Sequence, residues 1–192
     1  MRRIFARALD IPLRGPCNPL YTRQPPLRFC LQSGPFRTFA AQGDMLPSIE
    51  VDEGKPGDSV NVLELFKRKK GILFAVPGAF TPTCSEKHLP GYLEGAADLK
   101  AAGAEVVACV SVNDPFVMAA WGKQQGADDK VRMLADTRCE LTKALDMELD
   151  ATAKLGSVRS KRYAMLVEDG KIVKLGMDDE SFAPIMLEAL KH

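Results

Sequence analysis

Along the chain, apolar and polar positions change period in an order that predicts alternating strands and helices. Ser48-Ile-Glu-Val-Asp and Ser59-Val-Asn-Val flank the turn-rich Glu53-Gly-Lys-Pro-Gly-Asp and predict a leading hairpin. Leu63, Leu65 and Phe66 run into Lys67-Arg-Lys-Lys, cations suited to the negative end of a short helix. Gly71-Ile-Leu-Phe-Ala-Val-Pro is apolar without alternation, the mark of a strand buried on both faces. A helix over 89–102, a buried strand at Glu105-Val-Val-Ala-Cys-Val-Ser-Val-Asn and a helix opening at Asp114-Pro115 continue the alternation. Val131-Arg-Met-Leu-Ala-Asp is the next strand and 139–146 a short helix. Arg162-Tyr-Ala-Met-Leu-Val and Lys171-Ile-Val-Lys-Leu form a hairpin closed by Asp169-Gly170, before a final amphipathic helix from Phe182 to Leu190. The class is α/β, a central mixed sheet with helices on both faces.

Length and charge refine this picture. With 192 residues, 46% of them hydrophobic, the chain suits one domain plus a tail, and no apolar run approaches the roughly 20 residues of a membrane span. The net charge of +1 conceals an asymmetry: residues 1–43 carry seven arginines and the single acid Asp10, a net +6, which leaves −5 for the rest. Arg2, Arg3 and Arg7 beside Ile4, Phe5, Ala8 and Leu9 form the pattern of a transit peptide, ended by Pro12. Residues 1–41 are therefore expected to be a removable mitochondrial leader addressing the matrix, cut between Phe39 and Gln42, with residues 42–192 as the working domain. A basic arm for nucleic acid is disfavoured, because no second basic cluster with aromatics follows. Five cysteines without a secretory segment argue against a disulfide framework. Cys17 and Cys30 fall in the leader, leaving Cys84, Cys109 and Cys139.

The chemistry concentrates in Pro77-Gly-Ala-Phe-Thr-Pro-Thr-Cys84-Ser-Glu-Lys-His88, between a buried strand and a helix. Thr81 is a good N-cap and Pro82 a good first helical residue, so Cys84 falls at the third helical position, where free N–H groups favour thiolate. A cysteine with a pKa near 8.5 is only about 3% thiolate at neutral pH, whereas a pKa near 6 gives about 90%, a shift worth roughly 3.4 kcal/mol. A helix N-terminus supplies about 0.3–1 kcal/mol and seldom more than about 2, so a cation or several hydrogen bonds must add the rest. His88, four residues on, shares the helix face and either supports the pocket or is structural. Cys84 and His88 would make half a zinc site, but four ligands are needed and His192 is the only other histidine. No metal and no cofactor are expected.

Pro77, Thr81 and Cys84 match the peroxiredoxin signature Pro-x-x-x-Thr-x-x-Cys, and Pro-Gly-Ala-Phe-Thr-Pro-x-Cys-Ser resembles the type II, or peroxiredoxin-5-like, group in particular. The resemblance spans nearly all of residues 44–175, including Ser111-Val-Asn-Asp-Pro-Phe-Val and Val158-Arg-Ser-Lys-Arg-Tyr-Ala. It implies a thioredoxin-like sandwich and a peroxidase acting on hydrogen peroxide and organic hydroperoxides, in antioxidant defence and redox signalling. Cys84 would then be the peroxidatic nucleophile, Thr81 would hydrogen-bond the peroxide, Pro77 would shield the pocket, and Arg162 would be the matching cation. Arg159 and Lys161 lie close to it in sequence. Family members of this group often pair around the active site, so a homodimer with Phe80 at the contact is an expectation by analogy.

Peroxide would oxidise Cys84 to sulfenic acid, which must meet a thiol before over-oxidation. The resolving cysteine of animal relatives lies near the C-terminus, yet Leu175–His192 holds none. Cys109 matches the resolving position of plant type II relatives, although its place inside Val106-Val-Ala-Cys-Val predicts burial and a need for local unfolding to meet the disulfide limit of about 7 Å. Cys139, between Arg138 and Glu140, is expected to be more exposed but has no family match. Direct reduction of Cys84 by glutathione, glutaredoxin or thioredoxin is the remaining route. A thioredoxin-type dithiol oxidoreductase is disfavoured, since Ser-Glu-Lys-His follows Cys84 where a Cys-x-x-Cys is needed. A thiol sensor or holdase on the same fold, without turnover, is the rival outside enzymology.

Overall fold

The computed structural model describes residues 40–192. The leader expected over 1–41, with Cys17 and Cys30, lies outside the described residues except for its last two positions. A hairpin of β1 (Glu50–Glu53) and β2 (Lys55–Asn61) leads to α1 (Val62–Leu65), where the Asn61 side chain accepts from Glu64 N. β3 (Lys70–Ala75), β4 (Val106–Ser111) and β5 (Arg132–Ala135) are parallel, with α2 (Leu89–Glu94), α3 (Ala96–Ala101) and α4 (Pro115–Gln125) in the crossovers. Asp114 caps α4 through Val117 N at 3.0 Å, with Pro115 first in the helix, as the sequence predicts.

After α5 (Glu140–Ala144) comes a small two-stranded sheet, β6 (Glu148–Asp150) and β7 (Val158–Ser160), joined by α6 (Thr152–Leu155). Then follow β8 (Tyr163–Glu168), β9 (Lys171–Met177), a 3-10 turn at Asp178–Ser181 and α7 (Ala183–Leu190). Asp169 and Gly170 take φ of 48° and 75°, the left-handed pair a tight hairpin demands. The main sheet runs β2-β1-β5-β4-β3-β8-β9, with β1, β8 and β9 antiparallel to their neighbours.

Alternation along the strands divides the core in two. Ile72, Phe74, Cys109, Met133 and Leu166 face α2, α3, α4 and α7, where Tyr92, Leu99, Trp121 and Met186 are buried. Leu73, Ala108, Leu134 and Met165 face α1 and α5 through Leu65 and Leu141. Helices therefore cover both faces, as the mixed pattern predicts.

Two details differ from expectation. The helix over 89–102 is two helices meeting at Gly95, which ends α2 and begins α3. The β6–β7 sheet was not predicted, because three-residue strands with little burial leave no period to detect.

Candidate active site

The site lies at the carboxyl end of β3, where Val76 N still bonds Val110 O of β4 before the chain leaves the sheet at Pro77. Pro77 is half-buried there. The helical turn begins at Pro82, with Ser85 N bonded to Thr81 O at 3.0 Å, so Cys84 is the third helical residue, as expected. The expected side-chain cap does not form: Thr81 Oγ1 donates to Gly78 O at 2.9 Å. Its lone pairs face no helix N–H and stay open to a donor. Phe80, just before, has φ 61° and is 50% exposed, a left-handed conformation that costs roughly 1–2 kcal/mol for a residue with a Cβ.

Cys84–His88 is a π-turn, with Leu89 N bonded to Cys84 O five residues back. Pro90 supplies the cause: it has no N–H for the Glu86 carbonyl, and its ring crowds that position. The widened turn sets Cys84 and His88, both fully buried, on one line facing the start of β8. There Arg162 meets both, Nη2 donating to Cys84 Sγ at 3.3 Å and Nη1 to His88 Nδ1 at 2.9 Å. A guanidinium is a planar fork, so holding one arm aims the other.

The tautomer of His88 follows from its partners. Because Nδ1 accepts from Arg162, Nε2 carries the proton, which it gives to Ser181 O at 3.1 Å. The Tyr92 hydroxyl donates to the same carbonyl at 2.6 Å, and Ser181 Oγ is tied to Asp178 O. Gly176 allows this turn to fold back, since a Cβ there would overlap the Glu180 carbonyl. Burial, aided by Arg162 and opposed by the Ser181 bond, pushes the His88 pKa down to about 4, so the ring is neutral near pH 7. Phe74, Tyr92 and Phe182 pack around it.

The two neighbouring cations are occupied elsewhere. Arg159 bonds Val112 O at 2.8 Å and Leu155 O at 3.4 Å, and Lys161 Nζ reaches Asp146 O at 3.3 Å. Of the three cations weighed from sequence, Arg162 is the one on the sulfur.

Cys109 is fully buried in the same half of the core as Cys84, opposite Phe74 and Met133 in the sheet. Burial first, then the charge of Cys84, push its thiol up and keep it protonated. Cys139 departs from expectation: it is 7% exposed, not open, at the start of α5. Burial and then the Asp136 carboxylate push that thiol up as well. Ser181 and Tyr92 went unnoticed in the sequence, and Ser111 and Asn113 entered only as part of a matching motif, since the Tyr92–Ser181 and Ala79–Asn113 bonds span 89 and 34 residues that no local period records.

A buried cysteine beneath a forked cation, at the carboxyl end of a parallel strand in a thioredoxin-like sandwich, defines a thiol-chemistry site. The Redoxin family matches residues 41–189. Peroxiredoxin-2E-2, chloroplastic, from Oryza sativa subsp. japonica is 48% identical over 78% of this chain and 72% of its own length. Peroxiredoxin-2E, chloroplastic, from Arabidopsis thaliana is also 48% identical, over 77% and 68%. Among solved structures, peroxiredoxin 5 from Alvinella pompejana superposes with a TM-score of 0.76 at 42% identity, covering 79% of this chain and 98% of that one. Reduced Prx3 from Vibrio vulnificus in complex with hydrogen peroxide gives 0.75 at 47%, covering 79% and 99%. The chain belongs to the Redoxin family and, within it, is a peroxiredoxin, an oxidoreductase of the peroxidase type.

Proposed function

We propose that the Cys84 thiolate reduces hydrogen peroxide and organic hydroperoxides. Sulfur attacks the terminal oxygen of ROOH, the S–O bond forms as O–O breaks, and RO⁻ leaves to take a proton as ROH. Sulfur loses two electrons to the peroxide and becomes sulfenic acid. The observation that carries this is Arg162 Nη2 on Cys84 Sγ at 3.3 Å, a cation whose other arm is pinned on neutral His88. The same guanidinium stabilises charge passing from sulfur to the leaving oxygen. Thr81, its proton committed to Gly78 O, accepts the peroxide hydrogen, and Pro77 closes the mouth to water.

For recycling, Cys109 resolves the sulfenic acid as a disulfide with loss of water, and thioredoxin, or glutathione with glutaredoxin, reduces it. Its shared core half with Cys84 supports this, and its burial requires the π-turn to unwind first. Residues 1–41 act as an organellar leader removed on import, with the mitochondrial matrix as destination. The arginine-rich composition supports a leader, and the chloroplastic names of the relatives make the plastid the outcome that would redirect it. Exposed Phe80 and Phe116, 50% and 63% accessible, support a homodimer through this end of the sheet, tested by sedimentation of Phe80→Ser. Turnover is decided by peroxide consumption with a thiol reductant. The wild type sustains it and Cys84→Ser does not, whereas one oxidation without turnover points to a sensor.

A further inference from the structure

Ser111 Oγ donates to Asn113 Oδ1 at 2.8 Å, and Ala79 N donates to the same oxygen at 3.0 Å. The Ala79 N–H requires an acceptor, which fixes the amide with its oxygen inward. Ser111 is fully buried at the end of β4, and Asn113 is half-buried just before α4. Ala79 N belongs to the planar peptide whose other end is Gly78 O, and Gly78 O receives the Thr81 hydroxyl at 2.9 Å. One rigid plane thus has Asn113 on its N–H and Thr81 on its carbonyl. Space is tight around it: a Cβ on Gly78 would lie 3.2 Å from Thr81 Cγ2, 3.7 Å from Arg159 Nη1 and 3.9 Å from Asn113 Oδ1. The segment itself is anchored, through Arg159 Nη1 on Val112 O at 2.8 Å and Thr137 Oγ1 on Asn113 O at 3.3 Å.

We propose that Asn113, oriented by Ser111, is a positioning residue for peroxide reduction, setting the Thr81 hydroxyl through the Gly78–Ala79 peptide plane. The inference rests on the proposed role of Thr81 toward peroxide. The pair makes no hydrogen bond to Cys84 or Arg162, so it governs how peroxide is received and leaves the sulfur's own reactivity alone.

The test compares two reactions of Cys84: the second-order rate with hydrogen peroxide, which needs Thr81, and alkylation by iodoacetamide across pH, which does not. Asn113→Ala lowers the peroxide rate about 10-fold, the scale of a sub-ångström misplacement, with alkylation and its pH midpoint held within about twofold. Asn113→Asp keeps the acceptor oxygen and recovers most of the loss. Thr81→Val combined with Asn113→Ala is no slower than Thr81→Val alone, because both act through one hydroxyl. If Asn113→Ala fails to fold, Ser111→Ala carries the same comparison, with a loss of about 3-fold. Losses that multiply in the double variant, or alkylation falling in step with the peroxide rate, would overturn the inference while leaving Thr81 in place. An unchanged peroxide rate in Thr81→Val would remove the Thr81 role and this inference together.

Discussion

Two cysteines in this protein stand where a parallel strand gives way to a helix, and their surroundings are opposite. Cys84 follows β3 and has the Arg162 guanidinium on its sulfur. Cys139 follows β5 and lies beside buried Asp136, whose carboxylate already accepts from the N–H groups of Glu140, Leu141 and Thr142 at 2.8–3.2 Å. Both are under 10% exposed, so accessibility does not separate them. A helix N-terminus is therefore no guarantee of a reactive thiol: in one place a cation donates to the sulfur, and in the other a carboxylate has claimed the helix N–H groups.

The strongest way to break this contrast is to remove the cation. Arg162→Met is expected to slow peroxide reduction about 10²–10³-fold, on the scale of losing a preorganised donor at a site of developing charge. Arg162→Lys recovers little, because a point charge cannot hold His88 and Cys84 together. Stopped-flow oxidation of Cys84 measures both variants.

Next in size is the support of that cation. Neutral His88 has a folded-state pKa of about 4 against 6.5 when exposed, so between those values the unfolded chain binds a proton that the folded one refuses. Stability is full above pH 6.5 and falls as pH drops toward 4, by up to about 3 kcal/mol from this group. Urea unfolding across that window reads the slope, and His88→Asn, which keeps an acceptor but no titration, flattens it.

On the Cys139 side, Asp136→Asn weakens three hydrogen bonds to a buried helix start and is expected to cost about 2 kcal/mol in urea unfolding, with faster alkylation of Cys139 once the charge is gone. The smallest effect is the most informative by its size: Cys139→Ser leaves the peroxide rate within about twofold, since this thiol is held protonated away from the reaction.

The sequence carried the strand order, because unbroken apolar runs such as Ile72–Val76 and Val106–Val110 survive only between two helical layers. It also carried the position of Cys84, third in the helix after a buried strand, but not the hydroxyl of Thr81, which bonds Gly78 O and makes no cap. What else escaped it around Cys84 shares one property, a partner far along the chain. His88 is 93 residues from Ser181 and 74 from Arg162, and Asn113 is 34 from Ala79, so neither tautomer nor loop support shows in a local pattern. The choice of Arg162 over Arg159 turned on their distant partners, Cys84 Sγ for the one and Val112 O for the other, which basic positions within four residues of each other do not disclose. Cys139 misled because flanking charges suggested a surface, whereas the residue is buried with a left-handed φ of 60° that no flanking residue signals.

The central claim is that Cys84 alone is the peroxide-reactive sulfur. The most direct test treats the protein with one equivalent of hydrogen peroxide, traps the product within the first turnover and maps it by mass spectrometry. The account predicts oxygen on Cys84 first, as sulfenic acid, followed by a Cys84–Cys109 disulfide, with Cys139 unmodified. Oxidation shared evenly among the three thiols, or appearing first on Cys139, would contradict it.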